Sequence, residues 1–390
     1  MISSPPVKEV RRALARYAVP STPHGLGLFL FDLASYLAAI AAVLWAPWIG
    51  LKVLASIFAG AKMANLVTLA HDASHNSLTA SRALNKWIAI LSFTPGLFNY
   101  RLWLYDHHNV HHHNTNENHF DSYTPVSRTE YAAFSSWQKL KHRFYRSTSL
   151  WAFGVYYILE RWWKVKFFPR AHMPAHVRRA ARPHFFYLML YLAGFLGLLV
   201  SAPLYSNTDA PTAVLLGFVV PFYLFQSLFA FTVYVQHTHP RVAWFKGKPD
   251  RNAEARQELI SVHLRFPAWL SWMFHHVYDH AAHHVHPAIP CYRLPQAQAK
   301  LNEMMGALAV SEPFSFSWLA SVQQRCKLYD YEQHAWLDFS GQVTAVPLDC
   351  GQLRARPTKS ASDGLLLPDR AELDSPGIFF PASQASATPQ

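Results

Sequence analysis

The sequence predicts an all-α integral membrane protein with four transmembrane helices and a cytoplasmic helical cap that holds a histidine-rich dimetal site. Three observations lead to this fold class. Four apolar stretches are long enough to cross a bilayer, the basic residues gather in segments on one side of them, and 16 of the 23 histidines fall into four short clusters. The composition, 51% hydrophobic and 15% charged with three cysteines, excludes a disordered chain and a secreted disulfide scaffold.

The first apolar stretch, 26–45, is 20 residues long and carries Asp32 as its one charge. An α-helix of that length spans a hydrocarbon core of about 30 Å, and a cleaved signal peptide would be shorter. The remaining spans are predicted at 49–70, 185–202 and 212–235. The second is interrupted by Lys52 and Lys62, and the last contains Pro221, where we expect a kink.

The charges in the connections orient the spans. The links 46–50 and 203–211 carry no Lys or Arg, whereas 71–184 carries 15 and the N-terminus adds four. The positive-inside rule therefore places both termini and the middle segment in the cytoplasm. The net charge of +12 then fits a face that lies against anionic lipid, and no nucleic-acid-binding motif indicates a nucleic-acid partner.

The chain divides into a cytoplasmic N-terminal segment at 1–25, a membrane domain at 26–340 and a tail at 341–390 that is rich in Pro, Ser and Ala. We expect the tail to be flexible. Within the membrane domain, 87–98 is too short to cross and is expected to be re-entrant or interfacial. Residues 137–168 mix aromatic and basic side chains, as interfacial helices do.

Three of the histidine clusters share helical spacings. His71 and His75 stand at i and i+4, on one face of a helix. The other two clusters each contain an HxxHH motif, made of His108, His111 and His112 and of His280, His283 and His284. The fourth cluster, QHTHP, places His237 just beyond the last span.

One such spacing is weak evidence, because solvated surface histidines at i and i+4 are common. Its repetition in separate segments favours a metal site, since histidine is the commonest metal ligand. No cysteine lies in these clusters, which argues against structural zinc, but imidazole alone suits Fe, Zn, Cu or Ni. Eight or nine imidazoles exceed one tetrahedral site and favour two metal ions with open positions.

The motifs HDASH, HNVHHHNT and HAAHH, in this order, resemble the three histidine boxes of membrane fatty acid desaturases. YVQHTHP at 234–240 and FHHVYDHAAHHVHPAIPCYRL at 274–294 resemble segments of the Δ12/ω6 branch of that family. The resemblance covers roughly residues 50–300. It departs from the plant-type pattern at Asn76, where a second adjacent histidine is often found.

The resemblance implies a non-haem centre of two Fe ions with O₂ as co-substrate. The implied ligands are His71, His75, His108, His111, His112, His237, His280, His283 and His284. His107 and His113 flank the second box, and either could replace a neighbour there. Residues expected to contact the ligands are Asp72, His107, His113, His239, His276 and Asp279, and no further acid or base is nominated. The isolated histidines and Lys62 are interpreted as groups at the protein or membrane surface.

By the same resemblance, the protein introduces a C=C bond into an acyl chain carried on a lipid, coenzyme A or acyl-carrier protein. Neither His239-Pro240 nor His286-Pro287 is followed by the Gly-Gly of a fused cytochrome b5, so a separate ferredoxin or cytochrome b5 is expected as electron donor. A hydroxylase, epoxygenase or acetylenase on the same scaffold, a carotenoid or sterol oxygenase, and a histidine-rich metal transporter are the alternatives. We expect a bacterial inner membrane, with a eukaryotic endomembrane as the alternative.

Overall fold

A computed structural model describes residues 5–118, 121–249 and 256–347, which are mostly helical. His119 and positions 348–390 of the predicted tail lie outside the described residues. The first eight described α-helices are α1 (Val7–Ala15), α2 (Thr22–Trp45), α3 (Ile49–Ser74), α4 (Arg82–Phe93), α5 (Tyr100–Trp103), α6 (Arg128–Ala133), α7 (Ser136–Tyr145) and α8 (Trp151–Tyr156). The later ones are α9 (Ala175–Val200), α10 (Ala210–Val214), α11 (Val220–His237), α12 (Ala268–Met273), α13 (His280–Val285), α14 (Leu294–Met305) and α15 (Phe316–Arg325).

Among the described residues after the last apolar helix, five three-residue strands are present. They are β1 (His263–Arg265), β2 (Ser311–Pro313), β3 (Leu328–Asp330), β4 (Ala335–Leu337) and β5 (Val343–Ala345). β1 and β2 pair in parallel, and β3, β4 and β5 form an antiparallel sheet.

In the part of the chain that the structure describes, four helices are long and apolar enough to cross a membrane, which confirms the four-helix prediction. They are Thr22–Trp45, Ile49–Ser74, Ala175–Val200 and the continuous run Ala210–His237. The third begins at Ala175, ten residues before the predicted start at 185, and contains Pro183 in its interior. The basic residues in its first turns lower the mean hydropathy there, so hydropathy alone did not predict this extension.

Three segments are π-helical, at Leu104–His111, Tyr157–Lys166 and Leu215–Val219. The last one lies directly before Pro221, where the sequence predicted a kink. Because proline has no N–H to donate, the regular i→i−4 pattern fails at that position, and a wider turn absorbs the break. The other two π segments lie against the histidine clusters.

The centre of the bundle is α3, which packs against α2, α4 and α11. Gly60 sets the closest approach to α11, because a Cβ there would lie 2.9 Å from the carbonyl oxygen of Pro221 and 3.0 Å from the side chain of Leu224. The C-terminal ends of α3 and α11 therefore lie side by side. Both helices carry predicted metal ligands at these ends.

A buried ion pair joins α2 to α3. Lys62 Nζ lies 2.8 Å from Asp32 Oδ1, and Asp32 is fully buried. Lys62 also lies over the rings of Phe31 and Phe58. The interpretation of Lys62 as a group at the membrane surface is therefore wrong. Charged residues within apolar spans are tolerated when they pair with each other, as these two do.

Candidate metal centre

Nine histidines converge in two groups at the adjoining ends of α3 and α11. The first group is His71, His75, His107, His112 and His283. The second group is His111, His237, His280 and His284. Within each group the nearest ligand atoms all lie within 4.8 Å of one another. Four separate segments of the chain supply these side chains, so tertiary packing rather than one local motif builds each group.

The short helix α13 contributes to both groups. His280 and His284 are one turn apart and face the second group, whereas His283 faces the first. All three side chains are buried. One turn of helix therefore fixes the relative position of the two groups.

The π-helical turn at Leu104–His111 changes the register of the second box. An α-helix aligns residue i with i+3 and i+4, which predicted His108 beside His111 and His112. In the π turn the backbone N–H of His112 donates instead to the carbonyl of His107, five residues earlier, at 3.1 Å. Nε2 of His107 consequently lies 3.2 Å from Nε2 of His112.

His107 thus lies where the helical spacing predicted His108. His108 lies beside the first group, with its ring stacked on His75 at 4.1 Å and its Nε2 3.1 Å from Ser74 Oγ. The other eight predicted ligands fall within the two groups. The assignment of His108 as a metal ligand, with His107 as its alternative, stays a prediction.

The nitrogen atoms in these groups are arranged for a cation. Nε2 of His237 faces Nε2 of His280 at 3.1 Å, and Nε2 of His111 faces Nε2 of His284 at 3.3 Å. Nδ1 of His111 and Nδ1 of His284 donate to Asp121 and Gln257, so in the neutral rings the two Nε2 atoms direct lone pairs at each other. Nε2 of His75 is buried without a hydrogen-bond partner. Metal ions would satisfy these lone pairs, and the donor set fits two ions with nitrogen ligands.

Several of these imidazoles are also in the protonation state that a metal requires. Burial, followed by the charges of neighbouring histidines, lowers the pKa of His75, His112 and His283 well below the usual 6.5. The same causes, with His71 as the leading neighbour, lower the pKa of His108 to about 3. Neutral imidazoles present free lone pairs, so no proton must leave before a metal binds.

Side-chain oxygen atoms accept hydrogen bonds from Nδ1 of three of these rings. Asp72 Oδ1 lies 2.9 Å from Nδ1 of His71, and Asp121 Oδ1 lies 2.9 Å from Nδ1 of His111. Gln257 Oε1 lies 2.9 Å from Nδ1 of His284. Such contacts fix the tautomer and the ring orientation, leaving Nε2 for the metal. The sequence suggested Asp72 for this role but missed Asp121 and Gln257, which no histidine motif marks.

The other residues expected to contact ligands lie elsewhere. Asp279 pairs with His263 at 3.0 Å, and Nδ1 of His276 lies 3.2 Å from Ser271 Oγ. Nδ1 of His239 accepts a hydrogen bond from the backbone N–H of Arg241, and Nδ1 of His113 donates to the carbonyl of His108. Among the isolated histidines, His334 is not at the surface, since it is 3% exposed and lies 3.1 Å from the carbonyl of Trp244.

A buried ion cluster joins the two π-helical segments that flank the site. Arg161 Nη2 lies 3.0 Å from Asp106 Oδ1, and the Lys166 ammonium contacts the other oxygen of the same carboxylate. Lys166 Nζ also lies 4.3 Å from the ring centroid of Trp103, which stacks on His107. Asp106 directly precedes His107, so the cluster anchors the segment that carries the second box.

An apolar cavity runs between α3 and α11 to the two groups. Apolar walls come from Ala64, Val67, Leu228, Phe229, Val233 and Leu294, and five histidines of the two groups close one end. A chain of methylene groups suits such walls, because it offers no polar atom that would need a partner. An apolar chain in this cavity would lie against the candidate metal positions.

One wall of the cavity is held in a strained backbone conformation. His275 and His276 both have positive φ, at 51° and 55°, which is uncommon for residues other than glycine. Nε2 of His275 lies 2.5 Å from Asp32 Oδ2, so the ion pair between α2 and α3 also holds this loop. The loop is thereby tied to the bundle through the side chain of His275.

Comparison with known proteins gives one family. The family model described as "Fatty acid desaturase" matches residues 44–314. The chain is 23% identical over 313 residues to the sn-1 oleoyl-lipid 12-desaturase of Synechocystis sp., covering 80% of this chain and 84% of that protein. It is 24% identical to the chloroplastic omega-6 fatty acid desaturase of Spinacia oleracea over 78% of this chain and 65% of that protein. It is 26% identical to the sn-1 acyl-lipid omega-3 desaturase (ferredoxin) of Synechocystis sp. over 77% and 81%.

Proposed function

The chain belongs to the fatty acid desaturase family, and we propose that it is an O₂-dependent acyl-lipid desaturase of the Δ12/ω6 type with two iron ions in the histidine groups. It is an oxidoreductase that acts on lipid. The observation that carries the finer proposal is the apolar cavity that ends at two groups of converging imidazoles. The names of the relatives in Synechocystis and spinach support the position of the double bond.

The imidazole donor set suits several metals, and iron is proposed among them because the proposed chemistry is oxidative. Bound iron would supply the activation of O₂ needed to remove hydrogen from an unactivated methylene. The five imidazoles of the first group and the four of the second would hold the ions, with His108 as the alternative to His107.

The chain's own residues bind and position the substrate. The walls from α3 and α11 hold the acyl chain and exclude water, so a chosen pair of methylenes lies against the imidazole groups. Asp72, Asp121 and Gln257 keep three imidazoles in fixed orientations while this happens. No additional side-chain acid or base is needed for removal of the two hydrogens.

We further propose that the histidine groups and both termini lie on the cytoplasmic side of a bacterial inner membrane, as the basic connections indicate. The substrate is proposed to be a membrane lipid rather than acyl-CoA, because the cyanobacterial relatives are named as lipid desaturases. A separate protein delivers the electrons, and a ferredoxin is the first candidate because one relative is named with it.

The test is expression of the full chain in a host that lacks polyunsaturated lipids, followed by fatty-acid profiling by mass spectrometry. We expect new dienoic acyl chains with the second double bond at the Δ12 position. The variant His111→Ala, at the same membrane level of protein, should abolish the new product. Products that gain one oxygen without a new alkene would contradict the proposal and support a hydroxylase on the same scaffold.

A further inference from the structure

The short N-terminal helix α1 lies against the helix that carries three of the histidines. α1 packs on α13 and α14, and its apolar residues Val10 and Leu14 are both fully buried in the main hydrophobic core. α1 therefore covers part of the candidate metal centre.

The outer face of α1 is basic. Lys8, Arg11, Arg12 and Arg16 are all exposed, whereas Glu9 is the one acidic residue of the helix. Four positive charges within nine positions make a concentrated patch, which we call the α1 patch. Such a patch attracts a negatively charged partner and raises its rate of encounter.

A basic amphipathic helix usually suggests binding to anionic lipid, but the burial in α1 argues against this here. An interfacial helix inserts its apolar face between lipid headgroups. The apolar face of α1 instead packs against the rest of the protein, since Val10 and Leu14 are 0% exposed. Only the charged face remains available, which fits a soluble acidic protein better than a bilayer.

The α1 patch is also close to the metal-binding helix. α13 ends at Val285, and His286 follows directly. α1 contacts α13 directly, so its charged face lies one helix away from His280, His283 and His284. A protein bound over α1 would therefore approach the second histidine group through a single layer of helix. Electron tunnelling falls off steeply with distance, so a donor must bind at such a place.

We propose that the α1 patch is the docking surface for a small acidic one-electron carrier of the ferredoxin type. The inference rests on the proposed function, because each desaturation needs an electron donor. A saturated –CH₂–CH₂– unit, O₂, two electrons and two protons give –CH=CH– and two molecules of water. The carrier docks twice per turnover, delivers one electron each time, and is oxidised in doing so.

The test measures binding separately from turnover. The purified full chain is placed in nanodiscs of neutral lipid, and a plant-type [2Fe–2S] ferredoxin is titrated by calorimetry at low and high salt. The variant Lys8→Gln/Arg12→Gln/Arg16→Gln removes three charges but keeps Val10 and Leu14. The control variant Lys86→Gln/Arg179→Gln/Arg182→Gln removes three equally exposed charges elsewhere. Metal content is measured for each protein to show that the fold is retained.

We expect the wild type to bind the ferredoxin with an affinity that falls as salt rises. The α1 variant should bind about tenfold more weakly or worse, and the control variant should match the wild type. Equal binding by the α1 variant and the wild type, or no binding by the wild type at low salt, would overturn the docking proposal. A defect that appears only in discs of anionic lipid would also overturn it, since the patch would then contact headgroups. Normal binding without any unsaturated product would instead count against the proposed function.

Discussion

The carboxylate of Asp121 lies 2.9 Å from Nδ1 of His111, and Nε2 of the same ring faces His284. A second oxygen of Asp121 accepts a hydrogen bond from the backbone N–H of Asn116. This carboxylate therefore ties one imidazole of the second group to the loop that follows the second box. It is the contact through which the loop fixes the direction of a candidate ligand.

Replacement of Asp121 by Asn should weaken metal binding without removing a ligand. Loss of the charge releases the His111 ring from its preferred tautomer, and changes of this kind typically cost 10–100-fold in metal affinity. The measurement is iron content by mass spectrometry after competition with a chelator. The control is Asp338→Asn, an exposed carboxylate in a surface turn, which should leave iron content unchanged.

The register of the second box gives a sharper comparison. If the π turn is retained when metal binds, His107→Ala should lower iron content more than His108→Ala does, because His107 lies within the first group. If the segment instead has α-helical spacing when metal binds, His108→Ala should lower iron content more than His107→Ala does. Iron per chain in the two purified variants decides between them, with His113→Ala as the exposed control.

The ion cluster beside this box should matter for stability. Asp106→Asn leaves the Arg161 and Lys166 charges buried without their carboxylate, and breaking a buried pair in this way costs ~3–5 kcal/mol. Thermal unfolding in detergent measures the loss. The control Glu160→Gln removes a carboxylate whose lysine partners are largely exposed, and it should cost less than about 1 kcal/mol. Similar effects of the two changes would show that the cluster does not stabilise the π segments.

The metal-free protein should lose stability as the pH falls below 6.5. The pKa of His108 is lowered to about 3, by burial first, so the folded protein leaves this ring neutral while the unfolded chain takes up a proton. Above pH 6.5 the ring is neutral in both states and contributes no pH dependence. Between pH 6.5 and about 3 the unfolded chain binds a proton that the folded protein does not bind, which stabilises the unfolded state. The unfolding temperature should therefore be lower at pH 5.5 than at pH 7.5. An unfolding temperature that rises on acidification would contradict the buried, neutral assignment.

Much of the fold and of the candidate metal centre could be predicted from the sequence. Apolar length alone predicted four spans, and helical spacing predicted seven of the nine histidines that the structure brings together, with His237 found from the QHTHP cluster. Hydropathy could not show that α9 begins at Ala175, because its first turns carry arginines. The spacing rule also assumed an α-helix, so it chose His108 where the π turn presents His107.

The contacts that orient the ligands were harder to predict. Asp72 is adjacent in sequence to His71 and could be suggested, whereas Asp121 and Gln257 reach their histidines only through the fold. The same is true of Lys62, whose partner Asp32 lies on another helix. Pairings between distant segments leave no trace in local composition.

The most direct test of desaturation uses isotopes. The purified, iron-loaded protein, with ferredoxin and a reductant, is given a lipid whose acyl chain is deuterated at carbons 12 and 13, under ¹⁸O₂. The desaturase assignment predicts a product acyl chain that has lost two deuterium atoms, has gained a double bond and contains no ¹⁸O, with the label recovered in water. An acyl chain that keeps one ¹⁸O atom and gains no double bond would contradict it.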